Sequence, residues 1–202
     1  LLRGTGQLFS GTLATPEAFL AFALAIATLP ALLVGFLLAV TGWVDLLRNA
    51  TVIGWMMILF GILLWWAHRT FPETRAAREW RLRDAVTMGL MQTLALVPGV
   101  SRSGITMTAG RMLGYERHEA TRLAMLMSIP VILASATLLG VDVIRDGDLG
   151  KLTDLAIATA LAFLSALLAL VLMMRLLRSV SFTPYVIYRV VLGVGLIWWA
   201  WP

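Results

Sequence analysis

Nine residues at the middle of the chain limit what it can fold into. Pro98-Gly99-Val100-Ser101-Arg102-Ser103-Gly104-Ile105-Thr106 set one guanidinium, three hydroxyls and two glycines between apolar arms running from Ala85 to Val97 and from Ile105 to Leu113. Neither arm can cross a bilayer, because a 13-residue helix from Ala85 to Val97 reaches about 20 Å against a hydrocarbon core of about 30 Å. Backbone that is neither helix nor closed barrel is tolerated at membrane depth only where protein or a wet cavity covers it. A charged side chain there costs at least about 2.5–3.5 kcal/mol, so Arg102 marks a functional site by default. The chemistry suggests the guest. Gly99 and Gly104 let backbone come close to a ligand. Ser103-Gly104 can open a helix whose free N–H groups face an anion. Arg102 supplies a planar fork matched to phosphate oxygens.

The surrounding chain belongs to a polytopic membrane protein. Of its residues 60% are hydrophobic and 13% charged, and the mean hydropathy is +0.89. Apolar runs long enough to span cover 18–40, 51–67, 123–141, 155–174 and 184–201. Thr15-Pro16-Glu17 reads as a helix start, Pro30 as a kink, and Trp43, Trp65-Trp66 and the three C-terminal tryptophans as interfacial belts. The formal charge of +5 resides in arginines clustered in short loops, which points to a positive-inside pattern and away from nucleic acid. Cysteine is absent, so the chain has no disulfide framework, thiol nucleophile or thiolate metal site.

Charge bias decides between a broken single span and a re-entrant hairpin over 85–114. With a hairpin, the Arg-rich loops 68–84, 111–122 and 175–183 share the cytoplasmic side, while the weakly charged loops 43–49 and 145–154 lie outside. A single crossing would export the basic loop 175–183. The expected fold is therefore all-α, with about five transmembrane helices and one re-entrant helix-loop-helix hairpin in a single membrane domain over 1–202. Residues 1–84 carry two spans, and 85–202 carry the hairpin and three spans.

The run Gln92-Thr93-Leu94-Ala95-Leu96-Val97-Pro98-Gly99-Val100-Ser101-Arg102-Ser103-Gly104-Ile105-Thr106 resembles the second signature of the bacterial undecaprenyl-pyrophosphate phosphatases. Leu126-Met127-Ser128-Ile129-Pro130 and Ser181-Phe182-Thr183-Pro184-Tyr185-Val186-Ile187-Tyr188-Arg189 resemble two further family segments. The resemblance implies a membrane hydrolase that converts a polyprenyl diphosphate to the monophosphate, in the bacterial plasma membrane, within an inverted-repeat architecture. It implies catalytic roles for Ser101, Arg102 and Thr106. Arg102 would clamp the diphosphate and stabilise developing charge, and Ser101 and Thr106 would bind phosphate oxygens or position the attacking group. Gly99, Ser103, Gly104, Gln92 and Arg189 are the substrate-binding candidates. For Arg189 a pocket role competes evenly with snorkelling to the headgroups, and for Gln92 a site contact competes with a bond inside the hairpin.

The family's first signature, a glutamate pair followed by Ser-Ser-Thr-Gly-His, does not occur in these 202 residues, so the expectation is an incomplete chain. The resemblance alone implies a divalent cation, Mg²⁺ or Ca²⁺, for which no ligands are identifiable here. Expected partners are the polyprenyl diphosphate and membrane lipids, with no nucleic acid, and the resemblance leaves room for a homodimer. Ser101 as covalent nucleophile needs an adjacent base, and the two histidines, His68 and His118, fall in expected loops. The alternatives are a lipid-phosphate transporter, which re-entrant hairpins also suit, and a non-catalytic lipid-phosphate binder. A P-loop is absent, and the lipid phosphatases with a histidine seven residues after the serine are excluded because Thr108 stands there.

Overall fold

A computed structural model describes residues 16–42, 48–146, 149–176 and 180–201. The described residues form seven α-helices: α1 Pro16–Thr41, α2 Ala50–Thr70, α3 Leu82–Thr93, α4 Arg102–Met112, α5 Arg117–Asp146, α6 Leu149–Leu176 and α7 Thr183–Trp199. Two short 3₁₀ turns lie at Ala77–Glu79 and Leu94–Leu96. Four helices are long and apolar enough to cross a membrane: α1, α2, the Arg117–Thr137 part of α5 and the Thr153–Leu176 part of α6. The fifth expected span is α7, apolar but only 17 residues long. The loop expected over 145–154 is short, since α5 runs to Asp146 and α6 begins at Leu149. Thr15, Trp43, Asp148 and Arg178, read from sequence as cap, belt and loop residues, lie outside the described residues.

α3 and α4 are the two arms of the hairpin, and their ends are tied together. Arg75 and Tyr115 form a β-bridge, with Thr74 N and Arg75 N donating to Gly114 O at 3.1 and 3.0 Å and Glu116 N to Arg75 O at 3.0 Å. The chain thus leaves the hairpin where it entered. Arg117 Nη1 donates to Val180 O at 2.9 Å, so the segment before α7 meets the same base. Three Arg-bearing connections gather at one end, the arrangement that charge bias favours.

The hairpin is held between two layers. On one side, Ala23, Leu24 and Ala27 of α1 pack with Ala85 and Met88 of α3 and with Ala120, Leu123 and Met127 of α5. On the other, α2 and α7 cross through Gly54 and Gly193, where a Cβ on either would stand 2.7 Å from the other's carbonyl oxygen. Gly110 serves the same purpose on α4, where a Cβ would stand 2.9 Å from Ala120 Cβ. α6 stands apart: none of its residues of described burial is buried, and from Leu155 to Met174 it carries no charged side chain, as lipid contact requires.

A polar knot locks the base. Asp84 Oδ2 accepts from Arg75 Nη2 at 2.6 Å, from Tyr115 Oη at 2.6 Å and from Arg81 N at 3.2 Å. The Arg75 guanidinium also lies 4.3 Å from the Tyr115 ring centroid. Burial pushes the Asp84 carboxyl up, but the hydrogen bonds from Arg75, Tyr115 and the Arg81 backbone outweigh it and hold the group below the usual carboxylate range. A depressed folded-state value means stability that is present above about pH 4 and lost as pH falls through the folded value. Detergent-solubilised protein is expected to lose melting temperature on acidification below about pH 4. Asp84→Asn is expected to cost about 3 kcal/mol at neutral pH and to flatten that acid limb. An unchanged acid limb in the variant contradicts the assignment.

Candidate functional site

The tip of the hairpin is made by backbone that most residues cannot adopt. Gly99 has φ +93°, and a Cβ there would stand 2.5 Å from Ile53 O of α2, so only glycine fits. Ser101 follows with φ 61° and ψ 112°, the one positive-φ residue other than glycine among the described residues. Such a conformation costs of order 1–3 kcal/mol and persists where its surroundings impose it. Ser101 is the N-cap of α4, and its Oγ accepts from Gly104 N at 3.3 Å. The N–H groups of Arg102 and Ser103, in the first turn, have no intrahelical acceptor and carry the positive end of the helix dipole.

Two guanidiniums flank this helix start. Arg102 Nε donates to Gln92 Oε1 at 3.2 Å, and its Nη2 to Met127 O at 2.6 Å. The 126–130 segment that carries part of the family resemblance is therefore placed on the site. Gln92 is only 2% exposed; it makes the bond within the hairpin, and its Nε2, beside Arg102, has no hydrogen-bond partner among the described residues. On the other flank Arg189 is 4% exposed, which rules out snorkelling. Its Nη2 donates to Gly99 O at 2.7 Å and Val100 O at 3.2 Å, and its Nε to Met57 O at 3.4 Å. A Cβ on Gly104 would stand 3.5 Å from Arg189 Nη1 and 3.3 Å from Ser101 Oγ.

Ser101, Ser103, Gly104 and Arg189 thus share one corner, with Arg102 and Gln92 on its far side. Thr106 stands one turn deeper and is fully buried. Its hydroxyl lies 2.9 Å from Arg102 O and 3.1 Å from Ser103 O, donating back into the helix, so in this structure it braces the first turn from beneath. Both histidines sit at the base, His68 Nδ1 3.6 Å from Glu73 and His118 Nδ1 3.5 Å from Glu119. Neither offers Ser101 a base. One residue that sequence reasoning left without a role is Tyr185, whose Oη is 3.0 Å from Ser101 Oγ and whose ring centroid is 5.9 Å from the Arg189 guanidinium carbon. Its spacing of four before Arg189 places both on one face of α7, a signal present in the sequence.

No carboxylate among the described residues pairs with Arg102 or Arg189; their recorded partners are neutral oxygens. Two charges with only dipoles for company can be neutralised by an external anion. Among the described residues no three His, Cys, Asp or Glu side chains cluster to hold a metal. The donors at this tip are hydroxyls, an amide and guanidiniums, a set that does not fit a divalent cation.

The depth of the site follows from α2. Ile53 lies three residues from the start of α2 and seventeen from its end, which puts the tip about 5 Å along the axis from one end and about 25 Å from the base. Trp55 and the exposed Trp198, Trp199 and Trp201 mark the near end.

Residues 2–195 match the family described as bacitracin resistance protein BacA. Among proteins similar to this chain are an undecaprenyl-diphosphatase of Roseobacter denitrificans, 56% identical over 98% of this chain and 74% of that protein. Another, of Ruegeria pomeroyi, is 57% identical over 97% and 73%, and one of Dinoroseobacter shibae is 58% identical over 96% and 73%.

Proposed function

The chain belongs to the bacitracin resistance protein BacA family, and from that premise we infer that it is a multi-pass membrane phosphatase hydrolysing undecaprenyl diphosphate. The site supports the reading through one observation above all: the buried Arg189 and the half-buried Arg102, neither paired with a carboxylate among the described residues, converge on a helix N-terminus at the tip of a membrane hairpin. A diphosphate headgroup supplies the missing negative charge, and the polyprenyl tail lies along the apolar helices. Hydrolysis adds water to the terminal phosphorus and breaks its bond to the bridging oxygen, leaving inorganic phosphate and the lipid monophosphate. The residues here act on the charge of that step. Arg102, Arg189 and the α4 N–H groups neutralise the phosphoryl oxygens, where preorganised donors have most effect. The divalent cation suggested by the resemblance finds no fitting donors among the described residues, and no step here passes through one.

The plasma membrane is the setting that fits a carrier lipid of cell-wall synthesis, with the Arg-rich base on the cytoplasmic side and the tip near the outer face. A dimer could bury the bare face of α6. Transport is the less favoured reading, since the relatives matched along nearly all of this chain bear the name of a phosphatase.

Purified full-length protein supplied with undecaprenyl or farnesyl diphosphate is expected to release one equivalent of phosphate and to leave the monophosphate intact. Movement of lipid phosphate across vesicles without phosphate release would overturn the assignment in favour of transport.

A further inference from the structure

Ser101 Oγ has three polar neighbours, and a hydroxyl oxygen has one proton and two lone pairs to share among them. Gly104 N–H occupies one lone pair at 3.3 Å. Tyr185 Oη is at 3.0 Å and Ser103 Oγ at 3.4 Å. A phenol is a better proton donor and a poorer acceptor than an alkyl alcohol, so the favoured direction runs from Tyr185 O–H to Ser101 Oγ. That fills the second lone pair. The Ser101 proton is then the one hydrogen-bonding function left, and it points away from Gly104 and Tyr185, toward Ser103 and the open N-terminus of α4. The positive-φ backbone at Ser101 keeps the oxygen in this corner, and Arg189 on the same face of α7 holds the Tyr185 ring in place.

We propose that Tyr185 is a positioning residue that makes Ser101 a hydrogen-bond donor to a phosphate oxygen of the substrate and not the attacking nucleophile. The proposal rests on the diphosphatase reading of the site and adds a role for a residue that neither the motif nor its spacing assigns. With both acceptor positions engaged and its own proton turned to the substrate, Ser101 Oγ binds a phosphate oxygen, and the attacking group comes from elsewhere.

The test is a double-mutant cycle in the full-length protein, with Tyr185→Phe, Ser101→Ala and both together. Phenylalanine keeps the ring against Arg189 and removes only the hydroxyl. Tyr185→Phe is expected to lower kcat/KM about tenfold, Ser101→Ala about 10²-fold, and the pair no further than Ser101→Ala alone. A purely structural tyrosine gives additive losses, which would overturn the proposal. So would trapping of a phosphoseryl enzyme at Ser101 in wild-type protein. The same cycle is read a second way, by the affinity for a non-hydrolysable farnesyl methylenediphosphonate, which needs no turnover. There too the two single losses are expected not to add. Wild-type protein that binds the diphosphonate with this coupling but releases no phosphate overturns the phosphatase assignment alone; additive binding losses overturn the role of Tyr185 alone.

Discussion

Replacing Arg102 with alanine in the full-length protein is expected to lower phosphate release by at least about 10³-fold, the scale of a single arginine at a transferring phosphoryl group. The guanidinium is held by two neutral acceptors, Gln92 Oε1 and Met127 O, so no carboxylate among the described residues competes with the substrate for its charge. Truncation removes that charge and leaves two buried acceptors without a donor, a stability cost of about 1–3 kcal/mol. A lysine in its place is expected to recover little, because one ammonium cannot reproduce the fork that serves Gln92, Met127 and the ligand together. Initial rates measured beside melting curves separate the two effects. A folded Arg102→Ala protein with more than a tenth of wild-type activity would contradict the account.

The second large effect is expected far from the chemistry. Arg111 of α4 is wholly buried and caps the end of α2. Its Nη1 donates to Pro72 O at 3.1 Å and to Tyr115 O, and its Nη2 to Phe71 O at 2.7 Å and His68 O at 3.3 Å, with Glu73 Oε1 3.4 Å away. Arg111→Met fills similar volume but strands these carbonyls and one carboxylate. Removing one partner of such a buried set costs about 3–5 kcal/mol, a fall of roughly 10 °C in melting temperature. The base of the hairpin should then open, and residues 71–81 should become sensitive to limited proteolysis. A melting temperature within about 2 °C of wild type would show that the carbonyls find other donors.

These two arginines also show how far the sequence can be read. Arg102 was legible because a charge between arms too short to cross a membrane has few structural uses. Arg111, nine residues on, looks the same in kind and was counted with Arg117 and Arg122 as a cytoplasmic loop charge. Its burial depends on α2 ending where α4 ends, a contact between residues about 40 apart that no local pattern encodes. Arg189 was undecided for a related reason: a charge a few residues into a span can reach either outward or inward. Only the carbonyls of Gly99 and Val100, presented by the strained tip, settle the direction. The spans themselves were plain, since 20 apolar residues announce a crossing. Their ends were less so, because α5 and α6 extend through charged residues that composition assigns to a loop. Tyr185 was visible only as a helical turn's distance from Arg189, and its importance required knowing what α7 packs against.

The central claim is that a hairpin rooted at the Arg-rich base carries an anion site to the opposite side of the membrane. The chain has no cysteine, so single cysteines report position cleanly. Ser103→Cys at the tip and Arg78→Cys at the base, each in the full-length protein in sealed vesicles of known orientation, are to be treated with a membrane-impermeant thiol reagent. The account predicts labelling of the two from opposite sides, with farnesyl diphosphate protecting the tip and leaving the base unaffected. Labelling of both from one side, or a tip that the diphosphate does not protect, would contradict it.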